Sequence, residues 1–236
     1  MQTFDHVSPT DMSQFLYYCP EQWSFGKQGV VGLPVDDTPL LLGTAVHNAI
    51  VDYFATIPTK PTPVEIDNQV RQSFSFVFDE FKAQRIKVQR LLDNFVKVEQ
   101  SRLKTFRTFK PALVEKRLSY DIFVGIVDAY FQDDAVCMDW KTGVGSDTLS
   151  NAYLLQGSTY RFLLTKSGYS CKKVLVVALG GGKVYEVPQT SDGWLYREVD
   201  KFRNGNVYPK KGPWCADCSF NVRCQFKEVG LGMWDI

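Results

Sequence analysis

"VCMDWKTG", residues 136–143, begins as a buried strand and ends in charge. Val136, Cys137 and Met138 suit an interior, and Asp139 and Lys141 then follow on either side of Trp140. Residues i and i+2 of a strand share a face, so an acid and a base stand together at the end of an apolar strand. The preceding stretch, "IFVGIVDAYFQDDA" (122–135), reads as the partner strand and its turn. Counting outward from a loop of Asp133 and Asp134 sets Gln132 opposite Ala135, and Asp128 opposite Asp139. Cβ atoms of directly opposed residues lie roughly 5 Å apart, and like charges placed so repel. A divalent cation between them removes the repulsion, and hard oxygen ligands suit Mg²⁺ or Mn²⁺. A solvated acidic hairpin end, with Lys141 as counter-charge, is the plainer alternative.

The same period of two marks "ALVEKRLSY" (112–120), and "KKVLVVALG" (172–180) and "KVYEV" (183–187) read as two more strands. A helix is expected from about Ala152 to Lys166 and another from Asp192 to Arg203. Upstream the pattern is helical. Ser8-Pro9-Thr10-Asp11 starts a helix running to about Tyr18, Gly26 to Pro39 reads as a loop, and "GTAVHNAIVDYFA" (43–55) is a helix with an apolar stripe. Thr62 to Glu65 is a capping box opening two helices that reach Phe109. The expected fold class is α/β, a central mixed β-sheet flanked by helices. We read one domain over 1–236, with a helical N-terminal region (1–110), a core (111–205) and a cysteine-rich tail (206–236).

The 236 residues are 44% hydrophobic and 22% charged, ordinary globular composition. The net charge of +1 means that nucleic-acid binding has to come from a local patch. Lys82 to Lys110 supplies one, with nine Lys and Arg against only Asp93 and Glu99. "MQTFDHVSPTDM" has no basic start or apolar stretch of a signal peptide, and runs such as "VLVVAL" are too short to span a bilayer, so a soluble, intracellular, cytoplasmic protein is expected. "GGGKV" (180–184) is not a P-loop, because Val177 and Val184 stand where Gly and Ser/Thr are required.

Other polar residues are weak signals singly. Glu115, on the strand before the hairpin, can reach the face of Asp128 or be a surface acid. His47 lies in an apolar helical stripe, where a core histidine is the plainer reading. Gln156 and Tyr160 share a helix face at i, i+4. As an ordered set, however, His47, Gly125-x-x-Asp128, Asp139-x-Lys141 and Gln156-x-x-x-Tyr160 resemble the PD-(D/E)XK nuclease superfamily, RecB-like branch. The resemblance spans nearly the whole chain and implies a restriction-endonuclease-like core and hydrolysis of phosphodiester bonds. It implies a Mg²⁺ or Mn²⁺ ion held by His47, Asp128, Asp139 and the backbone carbonyl of Trp140. Lys141 would orient the attacking water or stabilise developing charge, with Glu115 beside it, and Gln156 and Tyr160 would position the nucleic-acid backbone.

Cys215-x-x-Cys218-x₅-Cys224 has ligand spacing but is one thiolate short, and Cys19 in "YYCP" is the best fourth. Zinc at four cysteines is one reading. One cysteine before the core and three after it also resembles the iron–sulfur RecB-like nucleases, AddB and the CRISPR-associated exonuclease Cas-four among them, which implies a [4Fe-4S] cluster. Cys137 and Cys171 read as core residues. The resemblance further implies DNA as partner, single-stranded or with single-stranded ends. It also implies roles in recombination or repair, phage DNA processing or CRISPR adaptation, with helicase, recombination or adaptation proteins as companions and no membrane. Lys97, Arg102 and Trp214 are expected DNA contacts, together with Gln156 and Tyr160. A DNA-binding subunit without turnover is the alternative in a different functional class.

Overall fold

The computed structural model describes residues 6–224. The last residues of the expected tail, 225–236, lie outside them. The chain opens with helix α1 (Pro9–Ser13), whose cap is the expected one: the Asp11 N–H donates to Ser8 Oγ at 3.1 Å. A π-helical turn (Gln14–Tyr18) follows, ending at Cys19. Helix α2 (Pro20–Lys27) forms over residues 20–25, which carried no assignment, and takes Gly26 and Lys27 from the expected loop; burial of Trp23 against Phe15 and Phe202 holds it in place. Helix α3 (Thr38–Thr56) starts five residues before Gly43, because Pro39 falls in its first turn, where proline needs no amide partner.

The Thr62 capping box forms, with Glu65 Oε2 accepting from the Thr62 N–H at 2.7 Å, and opens α4 (Pro63–Ser73). Two helices were expected up to Phe109. The structure has three, since α5 (Ser75–Glu80) is split from α4 at Phe74 and from α6 (Arg85–Thr105) by a tight turn at Lys82–Gln84. Each break leaves a phenylalanine, Phe74 or Phe81, buried in the core.

Strands β1 (Leu113–Tyr120), β2 (Phe123–Phe131) and β3 (Val136–Lys141) follow, then α7 (Asn151–Lys166), β4 (Lys173–Ala178), β5 (Lys183–Glu186) and α8 (Asp192–Asn204). The sheet order is β1-β2-β3-β4-β5, antiparallel throughout except that β3 and β4, joined through α7, run parallel. The architecture is thus a five-stranded mixed sheet flanked by helices. On one face α3 to α6 pack over Ala129, Phe131, Met138 and Trp140. On the other α7 packs over Val127, Tyr130, Cys137, Val174 and Val176. Trp140 is 1% exposed and lies edge-on to Phe95. Burying a large apolar side chain in this way contributes about 1.5–3 kcal/mol. Cys137 is fully buried, as expected, and Cys171 packs beside it.

Arg102 is corrected here. It is 3% exposed and cannot meet DNA. Its guanidinium forms a two-pronged pair with the buried Glu99 (2.8 and 2.6 Å), donates to the Phe109 carbonyl and lies 4.0 Å from the Phe131 ring centre. Removing one partner of a buried pair strands the other's charge, so Arg102→Met lowers stability by about 3–5 kcal/mol. Glu99→Leu with Arg102→Met recovers most of that loss in denaturant melts, and DNA affinity is unchanged by either change.

Candidate active site

The sheet brings the acidic residues together by failing to stay regular. β2 and β3 pair in the expected register, Phe131 with Val136, Tyr130 with Cys137 and Ala129 with Met138. Past Ala129 the ladder stops. Asp128 and Asp139 do not form a backbone pair; instead the Asp128 carboxylate accepts the Trp140 N–H at 2.9 Å. On the other side of β2, the β1 ladder skips one step, between Val114–Ala129 and Lys116–Val127. The skipped residues are Glu115 and Asp128. Glu115 has φ 43°, a left-handed conformation that costs free energy in a non-glycine residue and that clusters at functional sites. The alternation of β2 changes phase there: Val127 faces α7, while Ala129 and Phe131 face α3 and α6.

His47 reaches this break from the middle of α3. Its Nδ1 lies 3.2 Å from Glu115 Oε1 and 3.7 Å from Asp128 Oδ2, and its Nε2 lies 2.9 Å from the Trp140 carbonyl oxygen. His47, Glu115 and Asp128 each offer a ligand atom within 4.8 Å of the others. Asp139, on β3, lies outside that trio but near enough for its charge to act on Asp128 and His47. It is 0% exposed, and Lys141 Nζ stands 2.9 Å from its Oδ1 and 2.8 Å from its Oδ2. Beyond the Lys141 ammonium, Oδ2 has no hydrogen-bond donor among the described residues. The buried Asp128 and Asp139 carboxylates repel each other, and a hard cation relieves that repulsion. The donor set of oxygens and one imidazole therefore fits a divalent metal. Of the expected groups, the structure gathers His47, Glu115, Asp128, Asp139, the Trp140 carbonyl and Lys141. Glu115, even-handed in the sequence, stands among them.

The electrostatics follow from this crowding. Burial first, and then the charge of Asp139, push the Asp128 carboxyl up to about 7 against the pull of His47, Lys141 and the Trp140 N–H. Burial disfavours the His47 imidazolium, but the Glu115 hydrogen bond and the charges of Asp128, Glu115 and Asp139 raise its pKa on balance. Burial likewise opposes the Lys141 ammonium, and Asp139 and Asp128 outweigh it, so that its pKa is raised. A carboxyl with a raised folded pKa favours the fold below its ordinary value of 3.8, and that stability is lost as pH rises towards about 7. A bound cation reverses the sign, because it requires the carboxylate and displaces the proton. Mn²⁺ affinity, measured by calorimetry, is expected to weaken by at least about tenfold per pH unit below pH 7, since the His47 proton must leave as well, and Asp128→Asn to make that dependence shallower.

On the α7 side, Gln156 Nε2 donates to the Tyr160 hydroxyl at 2.7 Å. Tyr160 is 4% exposed, and burial, then the charges of Asp139 and Asp128, push its phenol well above the ordinary value. Gly125 explains its place in the set: a Cβ there would lie 3.1 Å from the Tyr160 ring and from Leu163. The missing side chain lets α7 approach β2.

The N-terminal segment and the tail meet away from this cluster. The Leu33 N–H donates to the Ser219 carbonyl (2.6 Å), and Tyr18 lies edge-on to Trp214. The Lys210 and Gly212 amides point at Cys19 Sγ and Cys215 Sγ, each at 3.4 Å. The Cys218 thiol is raised by burial, and the charges of Cys19, Cys215 and Cys224 add to that, so the four sulfurs share one neighbourhood. Of the expected DNA contacts, Lys97 is exposed on α6. Trp214 is half-buried, and its indole N–H donates to the Lys210 carbonyl.

The family model of the PD-(D/E)XK nuclease superfamily matches residues 6–225. The chain belongs to that superfamily, a class of metal-dependent nucleases. Among solved structures, that of SSO0001 is similar at 13% identity, with a TM-score of 0.48 over 96% of this chain and 89% of the other. No curated protein sequence matches the chain. Among the described residues no helix is long and apolar enough to cross a membrane.

Proposed function

We propose that the protein is a divalent-metal-dependent deoxyribonuclease, acting as an exonuclease on single-stranded DNA or single-stranded ends. The observation that carries this reading is the buried Asp139 ion-paired to Lys141, beside a trio of His47, Glu115 and Asp128 whose ligand atoms lie within 4.8 Å of one another. His47, Asp128, Asp139 and the Trp140 carbonyl would hold Mg²⁺ or Mn²⁺, which when bound polarises the phosphoryl oxygen and lowers the pKa of water. The chain's own residues do the rest. Lys141, fixed by Asp139, orients water and meets the negative charge that builds on the phosphate. Glu115 holds the His47 ring through Nδ1 and so sets the direction of Nε2. Gln156 positions the DNA backbone next to the carboxylates, and the buried Tyr160 hydroxyl, which accepts from the Gln156 amide, holds that side chain in place rather than meeting DNA itself.

Cys19, Cys215, Cys218 and Cys224 would bind a [4Fe-4S] cluster that ties the chain ends together. Backbone amides point at two of the sulfurs, as donors to metal-bound thiolates do. Recombination, repair, phage DNA processing and CRISPR adaptation all consume such an activity.

The test uses single-stranded DNA labelled at the 5′ or the 3′ end, and a matching blunt duplex, with Mg²⁺ or Mn²⁺. Stepwise shortening of the single strand from one end is expected, with slower attack on the duplex. Mid-chain products from circular single strands contradict the exonuclease reading. Binding with no cleavage in either metal supports a subunit without turnover instead.

A further inference from the structure

The basic run of the sequence is not one surface. Arg102 is internal, but the turn at Lys82–Gln84 and the start of α6 face the loop that leaves the catalytic strand. Lys82, Arg85, Lys87 and Arg90 line a cavity of about 570 Å³ whose opposite wall is Thr142, Val144 and Gly180. Thr142 is the residue after Lys141. A second cavity of about 480 Å³ shares Arg85, Ile86 and Arg90 and adds Lys97, with Asp93 as its one carboxylate. All five cations are exposed, and none forms an ion pair among the described residues. In a chain of net charge +1, five cations against one carboxylate on two adjoining hollows is a marked local excess. Amid the cations stands Ile86, which lines both cavities and is 81% exposed.

From these observations we propose that the groove between α6 and the Thr142–Val144 loop is the track for single-stranded DNA on one side of the scissile bond, with Ile86 packing against a base. This rests on the nuclease reading above. The cations match a phosphate chain, whose binding is salt-dependent. The exposed isoleucine selects the single strand, because unpaired bases offer their faces to an apolar side chain, whereas paired and stacked bases do not.

The test measures binding of a fluorescent thymidine-rich single strand by anisotropy, in metal-free buffer over a series of salt concentrations. One variant combines Lys82→Gln, Arg85→Gln and Lys87→Gln. A control combines Lys60→Gln, Lys172→Gln and Arg197→Gln, exposed positions outside the groove. Ile86→Ser is examined alone, and unchanged melting checks each fold. The groove variant is expected to lose at least tenfold in affinity at moderate salt, and about two units of the log–log salt slope, at about 0.7 per phosphate contact. The control is expected to stay within threefold of wild type, and Ile86→Ser to lose about threefold to tenfold with the slope unchanged. Equal losses in groove variant and control overturn the track. Equal losses of Ile86→Ser for single strand and duplex overturn the role of Ile86. If wild type cleaves DNA but the groove variant binds normally, the track falls and the nuclease reading stands. If the groove variant loses binding but wild type cleaves nothing, the nuclease reading falls instead.

Discussion

Lys141→Ala lowers the rate of DNA cleavage by roughly 10²–10³-fold, the usual loss when one group that stabilises transition-state charge is removed. Its ammonium lies within 3 Å of both oxygens of the fully buried Asp139, so it is held where a phosphate meets the carboxylates. The effect is expected on kcat rather than on KM, because in the proposed reading the DNA is held by the groove and by Gln156. A second result separates chemistry from folding. Without metal, the variant strands the Asp139 charge and melts earlier; adding Mn²⁺ restores the melting temperature but not the rate. A variant cleaving within threefold of wild type would remove Lys141 from the chemistry.

Cys19→Ser has a large expected effect on stability, of the same order as Arg102→Met. Cys19 caps α2, takes the Lys210 amide and lies in the neighbourhood of the three tail cysteines. Metal–thiolate binding free energy is folding free energy in small sites. Loss of one ligand is expected to bleach the visible absorbance near 400 nm and to lower the melting temperature by on the order of 10 °C. The active-site residues come from α3 and the sheet, so cleavage per folded molecule falls much less than stability does. Colourless wild-type protein carrying one zinc replaces the iron–sulfur reading. Unchanged melting and metal content in Cys19→Ser contradicts ligation at this residue.

Much of the architecture was legible in the sequence because its signals are local. All five strands were legible as strand segments, the Asp133-Asp134 turn fixed the β2–β3 register, and Ser8 and Thr62 capped the helices they were expected to cap. What escaped depends on tertiary contacts. α2 is short and contains a glycine, and the burial of Trp23 is what holds it. Arg102 looked like one more member of a basic face; only the fold reveals that its helix turns it inward onto Glu99 and the Phe131 ring. The place of Glu115 had a faint signal, an acid on the strand before the hairpin. Its φ of 43° and the skipped ladder step with Asp128 are long-range properties that no local pattern encodes. Gly125 was part of a motif without a reason until the ring of Tyr160 was found against it.

The central claim is that the metal which drives cleavage is held by the cluster around Asp139. The most direct measurement is the cleavage rate of labelled single-stranded DNA as Mn²⁺ is titrated, for wild type and for Asp139→Asn. A rate that rises and saturates in wild type, stays at background in chelator and never rises in Asp139→Asn is the predicted result. Superimposable titration curves for the two proteins, or cleavage by wild type in chelator, would contradict it.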